Sequence, residues 1–320
     1  GVDLSIAEVA QEGEEARWLV AAWLADDGAA VKGRLVTIDG PGAPLDEPGE
    51  VLELWRLDDA EQRAALGPHE LARIDAVTLL ERMVVIGVEA RRDIEQPSPG
   101  DHLLVSRWLA ASGEPASTVV LRGPGGGDLD LLGDARLWTY AGHDSALSVR
   151  VGLGFAWLLA IASNGLPGLV EAPGERVSVP VAATWMASAD GAFGSRHVFA
   201  LDDAAGQARV RVVRINRWGW SEPTQDTDEL VDVFELSAAP SGAPSLALLD
   251  GVPTLVLPMG ANQDALALRS SGGGALLEPI VDLRCDALGL AGPSFDGVGD
   301  TAPLACLRGG ELRIGALGSE

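Results

Sequence analysis

The sequence predicts an all-β protein, a β-propeller of six or seven four-stranded sheets. Three observations lead there. Strand-sized apolar runs recur along the 320 residues and are punctuated by 40 Gly and 19 Pro, the pattern of short strands joined by tight turns. Helical periodicity has one candidate, Asp58 to Arg73, where Asp59 would cap a short helix and Gly67-Pro68 would interrupt it. Tryptophans recur at similar offsets, and repeated small sheets of ~45 residues each are what a propeller is made of.

The repeat begins with Trp, then Leu or Met, then Ala, with a Gly shortly after. It reads Trp23-Leu24-Ala25 with Gly28, Trp108-Leu109-Ala110 with Gly113, and Trp185-Met186-Ala187 with Gly191. A β-like run follows each copy, at Arg34 to Asp39, Thr118 to Arg122 and Arg196 to Asp202. A second Trp comes next, at Trp55, Trp138 and Trp218, so the offsets are 32, 30 and 33 residues. Two apolar strands around a turn complete each unit: Ala76 to Leu80 with Met83 to Val88, Ala146 to Val149 with Phe155 to Ile161, and Leu246 to Leu249 with Thr254 to Leu257. The last pair turns at Asp250-Gly251, a hairpin signal.

These elements predict one domain over 1–320, built from three imperfect units of two sheets each, about 16–100, 101–180 and 181–284. A closing segment, 285–320, carries strands at Pro303 to Leu307 and Glu311 to Ile314. The N-terminal run Val2 to Val9 is expected to add a strand to that incomplete last sheet and close the ring. The rival architecture is tandem β-sandwich domains. A single domain is preferred because Gly123 to Gly127 is too short to act as a linker.

Composition narrows the function. Hydrophobic residues are 47%, charged residues 22%, and mean hydropathy is +0.17, which excludes a disordered acidic tail. The net charge of −24 repels phosphate backbones and argues against nucleic acid or anionic membranes as partners. Apolar runs such as Trp18 to Ala25 and Phe155 to Ala162 are far shorter than the ~20 residues of a spanning helix, so no membrane span is expected. Gly1 as first residue fits either the end left by a removed export or lipoprotein leader or a residue appended for expression. Cys285 and Cys306 lie 21 residues apart and are expected to be disulfide-bonded if the protein is exported, the other reading being two buried thiols. Lys32 is the only lysine among 23 basic residues, which reads as coding bias rather than function.

No catalytic residue is assigned. The sequence has no Gly-x-Ser-x-Gly elbow, no phosphate-binding loop and no zinc spacing. His69, His102, His143 and His197 are dispersed, and each reads as solvated or internally satisfied. The 47 acidic residues leave room for a glycosidase-type carboxylate pair, which is defined in space and not by spacing. The run Glu222, Asp226, Asp228, Glu229 and Asp232 reads as a solvated loop leading into a strand at Leu230 to Leu236. Trp23, Trp108 and Trp185, at repeat positions in apolar strands, read as structural. Trp220 is different: it stands off the repeat, in a Gly- and Pro-containing loop beside Arg217. Arg217 and Trp220 are therefore the candidate binding residues.

Ser294-Phe295-Asp296-Gly297-Val298-Gly299-Asp300, entering the strand Pro303 to Leu307, resembles the calcium loop of FG-GAP-type repeats in bacterial β-propeller proteins. The resemblance covers about a dozen residues of one repeat. It implies Ca²⁺ held by Asp296 and Asp300, since alternate oxygen ligands suit a hard cation. Val298 stands where the family has a central ligand, and a plain Asp-Gly turn explains the same residues. No other cofactor is expected.

The function these readings favour is a non-catalytic binding or scaffold protein of the cell surface or periplasm, possessing a protein or glycan partner recognised through propeller loops. A role as subunit of a larger surface assembly is a variant of it. The alternative is a propeller-type enzyme acting on glycans through channel carboxylates, which would need charged side chains at the starts of several inner strands.

Overall fold

The computed structural model describes residues 2–4, 7–9, 17–25, 30–37, 49–56, 70–80, 83–93, 102–109, 114–120, 137–138, 140–141, 146–151, 155–160, 175–178, 183–190, 195–204, 206–216, 229–271, 273–290 and 301–318. The described regular elements are strands, and they form six sheets in chain order, antiparallel throughout except where β11 joins the fourth.

The first sheet holds β1 (Val2–Asp3), β2 (Ala7–Val9), β3 (Arg17–Leu24), β4 (Ala30–Thr37) and β5 (Glu50–Arg56), with β1 and β2 both paired to β3. The second is β6 (Glu70–Leu80), β7 (Met83–Arg91), β8 (His102–Leu109) and β9 (Glu114–Val120). The short strands β10 (Leu137–Trp138) and β11 (Tyr140–Ala141) begin the third and fourth sheets. β10 pairs with β12 (Ala146–Val151), followed by β13 (Phe155–Ala160) and β14 (Glu175–Ser178). β11 runs parallel to β15 (Ala183–Asp190), followed by β16 (Ser195–Ala204), β17 (Gln207–Asn216) and β18 (Glu229–Glu235). The fifth sheet is β19 (Ser245–Leu249), β20 (Val252–Leu257), β21 (Leu266–Ser271) and β22 (Gly274–Pro279). The sixth is β23 (Ala287–Leu290), β24 (Thr301–Arg308) and β25 (Glu311–Gly318).

The chain forms two compact units, one with β1–β10 and β12–β14, the other with β11 and β15–β25. In the first unit, β6 runs beside β3 and β10, and β5 beside β9. In the second, β19 runs beside β15 and β23, and β22 beside β18. Strands at the start of each sheet thus neighbour one another, and last strands neighbour last strands, which is how successive propeller blades stack.

Packing in the second unit decides between blades and sandwiches. Leu246, Leu255, Leu257 and Leu268 of the fifth sheet pack with Phe199, Val210 and Val212 of the fourth. Ala247, Leu249 and Val256, pointing the opposite way, pack with Leu288, Leu290, Leu304 and Cys306 of the sixth. The fifth sheet is therefore covered on both faces, and the three sheets form a run. A two-sheet sandwich would leave the outer face of each sheet uncovered. Double burial also explains why β20, Val-Pro-Thr-Leu-Val-Leu, reads as continuously apolar, since Pro253 to Leu257 are all buried.

The predicted Asp250-Gly251 hairpin forms, and a second tight turn stands at Gly309-Gly310. Asp250 (φ 50°) and Gly251 (φ 71°) turn β19 into β20, and Gly309 (φ 57°) and Gly310 (φ 84°) turn β24 into β25. Two adjacent residues with positive φ make the primed turn that matches strand twist.

Three expectations are corrected. The N-terminal run does not complete the last sheet: Val2 pairs with Trp23 and Ala7 with Leu19 in the first sheet. Contacts 21 and 12 residues apart close far smaller loops than one with the distant C-terminus. Glu70 to Arg73, at the end of the expected helix, is strand, and residues 58–69 lie outside the described residues. The tryptophan repeat does not mark one structural position. Trp23 and Trp185 lie on β3 and β15, early in their sheets, whereas Trp108 lies on β8, third in its sheet. Trp55 lies on the last strand of the first sheet and Trp138 on the first strand of the third.

Candidate functional site

A polar seam crosses the apolar interface between the fourth and fifth sheets. His197 and Arg214 are direct cross-strand partners on β16 and β17, so their side chains share the face turned toward the fifth sheet. His197 is 1% exposed. Its Nε2 lies 3.0 Å from Ser195 Oγ and its Nδ1 2.8 Å from Ser270 Oγ, on β21 of the next sheet. A neutral imidazole donates from one nitrogen and accepts at the other, and a hydroxyl serves either role. Both ring nitrogens are thus satisfied in a place water does not reach. The expectation of an internally satisfied histidine holds here.

Arg214 extends the seam. Its Nη1 donates to the Ser271 carbonyl (3.0 Å) and its Nη2 to Asp232 Oδ2 (2.8 Å) on β18. The first contact joins two sheets. The second joins β17 to β18, because Val212 pairs with Asp232 and Arg214 with Leu230, placing Arg214 and Asp232 diagonally on one face. Asp232 is thus a half-buried ion-pair partner in a strand, where the sequence placed it in a solvated acidic run. Alternation along the strand turns it inward.

The position of this clamp gives it functional interest. Ser195 opens β16 and pairs with Asn216, the last residue of β17. The connection 217–228, which carries Arg217 and Trp220, leaves from that same end and returns at Glu229. Both of its stems, β17 and β18, are tied together by Arg214 and Asp232. Arg217 and Trp220 themselves lie outside the described residues, as do Asp296 and Asp300. Trp185, by contrast, is partly buried against the core between the fourth and fifth sheets, a structural role.

Cys285 and Cys306 are disulfide-bonded, with Cα atoms 5.5 Å apart. They sit in the core shared by the fifth and sixth sheets. Around them, Ser241 Oγ donates to the Asp286 carbonyl (2.8 Å) and Gly260 N to the Cys285 carbonyl (3.0 Å). Asp286 Oδ2 in turn accepts from Gly309 N (2.8 Å). Beside the bridge, the Asp264 carboxylate accepts from Arg284 Nε (2.8 Å) and raises that guanidinium above its ordinary value.

In the second unit, the neighbouring strands β15, β19 and β23 open with Ala183, Ser245 and Ala287, and the only charged residue on them is Asp190. Among the described residues no group of three His, Cys, Asp or Glu side chains could hold a metal ion. Nor is any described helix long and apolar enough to cross a membrane.

Ser195, Arg214, Ser270 and Ser271 went unassigned in the sequence, and His197 was read there without its partners. His197 and Ser270 stand 73 residues apart, and no spacing rule links them. The one available signal was a His and an Arg within apolar β-strands, where a polar side chain needs a partner.

No protein-family model matches the chain, and no curated protein matches it. Among solved structures it is similar to the Dos1 propeller, at 11% identity and a TM-score of 0.41, over 96% of this chain and 68% of that one. It is similar also to the sialidase of Trypanosoma rangeli, alone at 11% identity and with the inhibitor DANA at 10%, each with a TM-score of 0.41. Those matches cover 90% of this chain and 53% of the sialidase, so the chain spans about half the sialidase length. Likeness at this level carries no argument here. The fold rests on strand order and on the packing of the fourth, fifth and sixth sheets.

Proposed function

We propose that the chain is one β-propeller acting as a non-catalytic binding or scaffold protein of the cell surface or periplasm, with Arg217 and Trp220 contacting a protein or glycan. The observation that carries the reading is the clamp: Arg214 ties the two stems of the 217–228 connection together through Asp232 and ties them to the neighbouring sheet through Ser271. A recognition loop gains affinity from stems that do not have to be ordered on binding. Trp supplies a large apolar face with one N–H, and Arg a planar fork that pairs with carboxylates or stacks on rings. The buried disulfide supports a compartment outside the reducing cytosol.

Labelled protein applied to a glycan array, and to immobilised envelope proteins, tests this with Trp220→Ala and Arg217→Ala beside the parent chain. Loss of a central aromatic contact weakens binding by about 2 kcal/mol, roughly 30-fold, with the melting temperature nearly unchanged. A large fall in melting temperature with binding intact would make Trp220 another structural tryptophan.

A further inference from the structure

We infer that the seam is an acid-operated latch: protonation of His197 loosens the fourth sheet from the fifth, and with it the stems of the 217–228 connection. The latch does not depend on Arg217 or Trp220 being binding residues; its use in releasing a partner rests on that reading.

Charge in the described seam is balanced one to one. Arg214 supplies the cation and Asp232 the anion, 2.8 Å apart, and a neutral His197 adds none. Protonation would keep the imidazole's hydrogen bonds, because the hydroxyls of Ser195 and Ser270 can both turn to accept. It would, however, raise the described seam to two cations against one carboxylate. His197 is 1% exposed, and charge buried in that way is costly. The new charge would also stand directly opposite a like one, since His197 and Arg214 are cross-strand partners. Nor does the seam have acceptors to spare: Arg214 Nε is buried and has no hydrogen-bond partner among the described residues.

The surrounding strands offer little to offset it. On the seam's face, β15 presents Ala187 and Ala189 and β17 presents Arg214, with Asp232 from β18 and Asp203 at the far, exposed end of β16. Asp190 and Arg196 pair with each other one step out of phase with His197. Across the interface, β21 presents Leu268 and Ser270, and β19, β20 and β22 present apolar residues. Arg269 and Glu278 alternate to the opposite face. Asp250 stands at the Ser270 end of the fifth sheet, in the exposed turn after β19, where water screens it.

The opened form takes up a proton at the ordinary histidine value of about 6.5, whereas the closed seam resists it. The contact is therefore complete above that value and weakens as pH falls through it. Acidification from about pH 7.5 to about 5.5 should raise the opening constant roughly tenfold, while carboxylates stay ionised. Hydrogen–deuterium exchange of the intact chain, corrected for the intrinsic effect of pH, reads this strand by strand. Amides of β16, β17, β18 and β21 should open about tenfold more at the lower pH. Those of β24 and β25, which contain no histidine, should not change. His197→Gln, neutral at both pH values, should abolish the difference. Trp220→Ala should leave it intact, which separates failure here from failure of the loop reading. Exchange that rises equally in all sheets, or nowhere, would overturn the inference, and the parent chain alone gives that result should His197→Gln not fold. An undiminished difference in folded His197→Gln would overturn it too.

Discussion

Ser270→Ala isolates one contact of the seam. The substitution removes a single hydroxyl from a residue with no exposure, so almost no apolar surface or volume changes. What changes is His197 Nδ1, left without the partner it has at 2.8 Å. The imidazole is 1% exposed and cannot recruit water in compensation. An orphaned buried polar group costs its desolvation penalty, about 1–3 kcal/mol. Taking about 2 kcal/mol, and a sensitivity of roughly 1.5 °C per kcal/mol for a body of 320 residues, the melting temperature should fall by roughly 3 °C. Urea denaturation followed by tryptophan fluorescence gives the free energy. His197→Leu and the Ser270→Ala/His197→Leu pair complete a double-mutant cycle, in which the two changes should couple by about 1 kcal/mol or more. Removing both polar partners is less costly than removing one. A loss under about 0.5 kcal/mol for Ser270→Ala, with no coupling in the cycle, would refute the seam as a buried, water-excluded contact between sheets.

Mass spectrometry without reductant should find the chain two hydrogens lighter than its reduced form, and Cys285→Ala with Cys306→Ala should cost about 3 kcal/mol, the entropy of a loop of that length. Two alkylatable thiols in the native protein would contradict the bridge. Gly242→Ala should destabilise by about 1–3 kcal/mol, as overpacking does, because a Cβ there would stand 2.9 Å from the Asp286 carbonyl oxygen and 3.3 Å from Ala287. An unchanged denaturation midpoint would show that the 241–242 segment does not press on the strand leading from the disulfide.

Fold class was legible because strands and turns are local. Asp250-Gly251 announced its hairpin through two residues that tolerate positive φ, and the apolar runs of β16, β19 and β20 were long enough to read directly. Strand order was less legible. Equal tryptophan offsets suggested equal units, yet Trp108 falls on a third strand, because a large aromatic suits any half-buried strand position and marks none in particular. The disulfide could be read from two cysteines in one chain. The seam could not, since His197 meets Ser270, and Arg214 meets Ser271, only once two sheets have stacked. Asp232 shows the same limit at short range: one step along β18 decides between solvent and an ion pair.

Small-angle X-ray scattering of the purified chain tests most directly the claim that the sheets belong to one propeller. A single compact body of 320 residues should give a radius of gyration of about 20 Å, with one maximum in its pair-distance distribution. A markedly larger radius with two maxima, the profile of separate domains on a tether, would contradict it.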